Sequence, residues 1–397
     1  LPLTLIAANW PLLAGMGVLM LGAGLQSTLL SLRGSVEGFP APVIGMIMSC
    51  YYLGYLLGTH IAPRMLRQVG HIRVFAALAA VASAAILVQC ACINPWAWAM
   101  LRLLSGICFA GIYVVAESWL NDRATSANRG RLLAVYMVVL YIGLGSAQFL
   151  LVLADPHTAT PFMLVSILIS LAMVPIVVSA TQIPERAAPR GVRLRDLYRN
   201  SPLGVVAVSV SGLISSTIYS IGPVYARLSG LTTAGVATFM GVSILAGVLT
   251  QYPVGRLSDR MDRRTVIAGI CALTTLIAAS LATFRTMPQV LFYVLAAGFS
   301  GFVLTLYSLA VSHVNDKLEP SQMVAASSAL LFLNGMAAAI GPTFAGSLIA
   351  AFGPHAYFAT LGSLTGALTI YDLWRKTRRK PVAPSQKGPF ITTRPRA

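Results

Sequence analysis

An arginine set among apolar residues is the first feature of this 397-residue chain that asks for a chemical explanation. Arg102 stands in the run from 96 to 120, and a guanidinium in hydrocarbon is costly unless it faces a partner, water or an anionic ligand. Counted from Trp96 at ~1.5 Å per residue, it lies ~9 Å below the end of a helix. Two roles are open to it: holding a solute anion, and snorkelling to the nearer surface. Glu117 follows on the same run, ~22 Å farther along. That is too far to neutralise Arg102, yet within ~60° of its face at ~100° per residue. A proton-coupling carboxylate and a latch to neighbouring arginine-rich loops are the two roles open to Glu117.

Other polar side chains interrupt the apolar runs: Gln26, Tyr51, Tyr55, Tyr141, Gln148, Ser215, Ser216, Tyr219, Gln251, Tyr307 and Asn334. Each either contacts a polar solute or joins neighbouring helices. The substrate-binding set read from these is Arg102, Gln26, Tyr141, Gln148, Ser216, Tyr219, Tyr307 and Asn334, with Tyr219 and Gln148 foremost. His60 and His313 fall near helix ends, as interfacial residues. Cys50, Cys90, Cys92, Cys108 and Cys271 all lie in apolar runs without CxxC pairs, which makes them packing residues. The chain carries no phosphate-binding GxxxxGK[ST], no GxSxG, no HExxH and no metal-ligand cluster. No cofactor, no metal site and no enzymatic reaction are therefore expected.

The elements that must position these residues follow from composition. Hydrophobic residues make up 57% of the chain and charged ones 10%, with a mean hydropathy of +0.78. A water-soluble fold cannot hide that much apolar side chain. Apolar runs near the ~20 residues needed to cross a bilayer recur at 8–31, 42–61, 74–93, 96–120, 132–153 and 161–180. A second set follows at 203–225, 233–253, 265–284, 289–313, 322–351 and 355–374. The fold class expected is an all-α integral membrane protein of twelve transmembrane helices.

A net charge of +17 raises nucleic-acid binding as a class, and the position of the 28 Lys and Arg residues excludes it. Odd-to-even connections carry only Arg33, Arg227 and Arg285, whereas even-to-odd connections and the tail carry 24. The bias puts both termini in the cytoplasm. The longest polar break, Thr181–Pro202, divides the chain into a six-helix half at 1–180, a linker at 181–202, a second half at 203–374 and a basic tail at 375–397. Within the linker, Val192–Tyr198 suits a short amphipathic helix on anionic lipid, though a plain basic tether is the simpler expectation. Arg64 and Arg256 stand 192 apart, and Asn121-Asp122-Arg123 is answered by Asn315-Asp316-Lys317 at an offset of 194. Two landmarks at nearly one offset mark the halves as repeats.

After the eighth span comes Gly255-Arg256-Leu257-Ser258-Asp259-Arg260-Met261-Asp262-Arg263-Arg264. Its glycine permits close helix approach, Asp259 can accept bonds from an arginine or a helix end, and Arg260, Arg263 and Arg264 can pair with carboxylates nearby. This stretch resembles the A motif of the major facilitator superfamily. The copy after span 2 departs from it, with Pro63 for the first glycine and Arg67 for the acidic residue; in the second copy Asp262 replaces the usual turn glycine. Arg102-Leu-Leu-Ser-Gly106 resembles the superfamily's B motif. Span 5, with Gly143-Leu-Gly145-Ser-Ala-Gln148, lacks the GP-containing C motif of drug–proton antiporters.

The stretches Glu117–Asn121, Asn128–Tyr136, Pro223-x-Tyr225 and Gln251–Asp259 are similar to the YcaD branch of bacterial facilitators. The resemblance implies two pseudo-symmetric six-helix halves, spans 1, 4, 7 and 10 lining a solute cavity, and residence in the cytoplasmic (inner) membrane. It also implies secondary active transport of a small solute by alternating access, in contact with membrane lipids and as a monomer. An organic anion fits Arg102, and H+ as the coupling ion fits Glu117. An exporter of hydrophobic or cationic compounds and a non-transporting sensor or scaffold stay open beside it. Glu117, Gly255, Asp259, Arg260, Arg263 and Arg264 form the coupling or gating set.

Overall fold

The structure is a computed structural model that describes residues 3–123, 129–178, 194–283, 287–316, 318 and 320–376. The loop at 124–128, most of the linker and the tail beyond 376 lie outside the described residues. Every regular element among them is helical: α1 (Leu3–Val36), α2 (Ala41–Val69), α3 (His71–Ala91), α4 (Pro95–Arg123) and α5 (Arg129–Leu150). There follow α6 (Thr160–Leu171), α7 (Met173–Val178), α8 (Leu194–Asn200), α9 (Pro202–Leu228) and α10 (Thr233–Arg260). The chain continues with α11 (Arg263–Thr283), α12 (Gln289–Leu304), α13 (Leu306–Asn315), α14 (Pro320–Phe352) and α15 (Ala356–Lys376).

The pairs α6/α7 and α12/α13 are single crossings with a break. Counted so, 11 crossings among the described residues are long and apolar enough to span a bilayer. The twelfth is α15, whose 21 residues suffice in length but whose apolar stretch is diluted by threonine, glycine and a terminal Asp372, Arg375 and Lys376. Leu249, Leu276, Val290 and Ile370 are largely exposed, an arrangement that only a lipid solvent favours.

Helix ends explain themselves locally. Asn94 caps α4: its Oδ1 accepts the N–H groups of Trp96 at 2.9 Å and Ala97 at 3.2 Å, and Pro95 takes the first helical position. Asp262 does the same for α11, its Oδ1 accepting the Arg264 N–H at 3.2 Å. The turn there uses a capping side chain where a glycine was expected. Gly38 (φ 78°) and Gly230 (φ 85°) close the turns after α1 and α9 in the left-handed region that favours glycine. They stand 192 residues apart, the same offset as Arg64 and Arg256.

By contact density the chain forms two compact units, Leu1–Ala187 with Leu231–Gly241, and Ala188–Gly230 with Val242–Ala397. In the first, α2 against α4 is the most extensive pairing, and α1 lies on α5 and α6. In the second, α9 packs on α14 and α11 on α15. The linker segment is more than a tether. Leu197 of α8 is buried in the hydrophobic cluster of the second unit, with Leu203, Val254, Val266, Val314 and Leu368.

Candidate functional site

Arg102 sits on α4 at 3% exposure, with its guanidinium carbon 4.4 Å from the centre of the Tyr51 ring. Close backbone approach makes this contact. A methyl group at Gly106 would collide with the Tyr51 carbonyl oxygen, and one at Gly54 with that of Leu103. The glycines thus let α2 and α4 press together and bring Tyr51 over the arginine. Around it Tyr51 meets Tyr52 at 5.4 Å, Tyr55 at 6.4 Å and Phe109 at 6.2 Å, and Tyr55 meets Tyr113 at 6.1 Å. Tyr113 donates to the Met20 sulfur of α1 at 3.2 Å. Among the described residues Arg102 forms no salt bridge, and its Nε has no hydrogen-bond partner. Gln26 of α1 is 1% exposed, and neither amide atom finds a partner among the described residues. Tyr113 was not singled out from the sequence; its helical spacing from Arg102 and Phe109 on α4 was the available signal.

The remaining polar residues divide by what they already hold. Gln148 is engaged between α5 and α1: its carbonyl accepts Thr28 Oγ1 at 2.5 Å, and its amide donates to Gly24 O at 3.3 Å and Leu144 O at 2.9 Å. Asn334 of α14 donates to Val208 O of α9 at 3.0 Å. Ser216 donates to Leu213 O at 3.1 Å, at a point where Gly341 of α14 comes close. Tyr141, Tyr219 and Tyr307 are buried on α5, α9 and α13. Tyr307 belongs to the cluster that holds Leu197, two residues after the break at Thr305, whose hydroxyl donates back to Phe302 O at 2.7 Å.

At the arginine-rich end of the second unit lies an ion network. Arg263, 1% exposed, donates from Nε to Asp316 Oδ2 at 2.7 Å and from Nη1 to Ser258 Oγ at 3.2 Å, while Nη2 stands 3.5 Å from Asp259 Oδ1. One guanidinium therefore joins the end of α10, the start of α11 and the end of α13. Ser258 in turn donates to Gly255 O at 2.9 Å. Arg264 is buried beside it and Arg260 is exposed. At the 192 offset, the first unit has His71 where the second has Arg263, and His71 Nε2 is 3.1 Å from Ser118 Oγ, next to the half-buried Glu117. Among the described residues no three His, Cys, Asp or Glu side chains gather as metal ligands.

The model of the Major Facilitator Superfamily matches residues 12–332 and 230–395 of the chain. The chain belongs to the Major Facilitator Superfamily. It is 29% identical over 356 residues to the uncharacterized MFS-type transporter YcaD of Escherichia fergusonii, covering 89% of this chain and 92% of that protein. To the YcaD of Salmonella arizonae it is 30% identical over the same coverage. The crystal structure of the nucleoside transporter NupG superposes with a TM-score of 0.78 at 11% identity, over 94% of this chain and 99% of that one, a likeness of fold. The facilitator is a multi-pass membrane protein of the transporter class, with the twelve-helix fold of its superfamily.

Within this facilitator two expectations change and one buried carboxylate is added. Asp372 of α15, not singled out from the sequence, is 0% exposed. Its position near Arg375 marks it as a chain-end residue, whereas its helical phase marks it as interior: Leu361, Thr365, Leu368 and Asp372 form one buried stripe. His313, expected at the interface, is buried on α13. Asp316, read only as a repeat landmark, is the principal partner of Arg263.

Proposed function

We propose that this facilitator is a secondary active transporter of a small organic anion, with Arg102 as the group that receives the negative charge. The observation that carries the reading is a buried guanidinium with no carboxylate in salt-bridge range among the described residues. Burying an unneutralised cation costs several kcal/mol, and a bound anion offsets that cost. The 3% exposure also speaks against snorkelling, which would place the charged head in the interface. A cationic cargo is disfavoured here, because the Tyr51 ring face already carries a guanidinium.

Gln26 supports the same reading. A buried amide with idle donors and acceptors fits a solute that brings its own polar groups. Gln148 and Asn334 are better understood as interhelical ties. Repeated six-helix units support alternating access around a fixed solute site, and the charge bias supports an inner-membrane orientation with both termini cytoplasmic. A ligand-stabilisation screen of the purified protein tests the reading, since a bound ligand raises apparent stability. Organic anions should raise the melting temperature of the wild type and leave that of Arg102→Gln unmoved. Stabilisation by neutral or cationic solutes alone would refute the anion assignment.

A further inference from the structure

Two basic segments, far apart in sequence, meet at one end of the second unit. Helix α8 inserts Leu197 into the core and leaves Leu194, Tyr198 and Arg199 exposed. Tyr371 of α15 packs against the same hydrophobic cluster that takes Leu197, beside Leu368 of its own helix. Tyr371 in turn lies 6.0 Å from Trp374, ring centre to ring centre, and Arg375 places its guanidinium carbon 5.8 Å from the Trp374 ring. Tyr198 is 49% exposed, Trp374 51% and Leu373 53%, so the outer side of this junction is a strip of aromatic and aliphatic surface flanked by arginine. The sequence adds Arg193 and Arg195 on the linker side, and Lys376, Arg378, Arg379 and Lys380 at and after the end of the last crossing, against Asp196 and the buried Asp372.

We propose that the junction of α8 with the end of α15 is a binding site for an anionic phospholipid, the headgroup phosphate lying between Arg199 and Arg375 and an acyl chain along Leu373 and Trp374. Location and charge select this occupant. The strip lies at the terminus of a membrane-crossing helix, at headgroup depth, where tryptophan and tyrosine concentrate. A run of four or more cations immediately after a crossing attracts anionic lipid, each adding to the affinity. Leu197, Leu368 and Tyr371 meet in one cluster, which joins the end of α8, carrying Arg199, to the end of α15, carrying Arg375.

The full-length protein, reconstituted in phosphatidylcholine vesicles, provides the test. The fluorescence difference between wild type and Trp374→Phe isolates Trp374 from the other tryptophans, and lipids brominated on their acyl chains quench it on contact. Brominated phosphatidylglycerol should quench Trp374 at a lower mole fraction than brominated phosphatidylcholine. The Arg199→Gln/Arg375→Gln variant should reduce that preference by roughly 25-fold, at about fivefold per cation. Arg199→Lys/Arg375→Lys should keep it, which separates charge loss from misfolding. Equal quenching by the two lipids in the wild type, or an undiminished preference in the glutamine variant, would overturn the site and point to an acidic protein partner or to general surface charge instead.

Discussion

At the scale of single residues, polar side chains in this facilitator are either engaged with a neighbouring helix or held in reserve. Gln148 spends its donors and acceptors on α1 and its own helix, and Asn334 ties α14 to α9, whereas Gln26 and the Nε of Arg102 have no hydrogen-bond partner among the described residues. Arg102→Gln should therefore weaken anion binding by roughly 10- to 100-fold, the range of a charge-assisted contact, while the melting temperature without ligand stays level or rises. Isothermal titration with whichever anion stabilises the wild type measures it. Arg102 was legible in the sequence because a lone cation in an apolar run has few explanations. Gln148 was not, because a glutamine that glues helices and one that grips a solute are the same residue type, and the deciding partner, Thr28, lies 120 positions away.

At the scale of elements, two local assemblies make specific demands. Gly106 and Gly54 set the approach of α2 to α4, so Gly106→Val should force the helices apart and cost about 1–3 kcal/mol or more. It should lower the melting temperature and displace Tyr51 from Arg102, changing affinity without touching a binding atom. In the ion network, Asp316→Asn leaves Arg263 as a buried charge short of its main counter-ion and should cost roughly 3–5 kcal/mol. Arg263→Met/Asp316→Leu should be milder than either single change, because no uncompensated charge remains. Denaturation of the purified variants distinguishes these outcomes. The motif around Asp259 pointed to such a network from sequence, but its strongest carboxylate comes from another element, and only the fold brings Asp316 to Arg263. Helix α8 was likewise half visible: its length and period were readable, its anchorage through Leu197 was not.

At the scale of the whole molecule, the two halves share turn positions but differ in the residues set at matching places. Gly38 and Gly230 keep the 192 offset and the same left-handed turn, yet His71 stands where Arg263 does and Val294 where Arg102 does. Hydropathy was sufficient for the crossings because the bilayer imposes one length on all of them; the signal is weakest at α15, read as 355–374, where threonines and Asp372 dilute it on a face that is buried in protein. Orientation is open to a direct check. A cysteine at Gly230 should react with an impermeant reagent from outside intact cells, and one at Arg260 only after permeabilisation. Coupling belongs to this scale too: if H+ drives transport through Glu117, Glu117→Gln should keep solute exchange and lose uptake driven by a pH gradient, and retained uptake would remove that role.

Proteoliposome uptake tests the central claim most directly, with a panel of labelled organic anions, neutral solutes and cations compared in the wild type, Arg102→Lys and Arg102→Gln. The account predicts uptake of at least one organic anion by the wild type, partly retained in the lysine variant and lost in the glutamine variant. Uptake confined to neutral or cationic solutes, or anion uptake undiminished in Arg102→Gln, would contradict it.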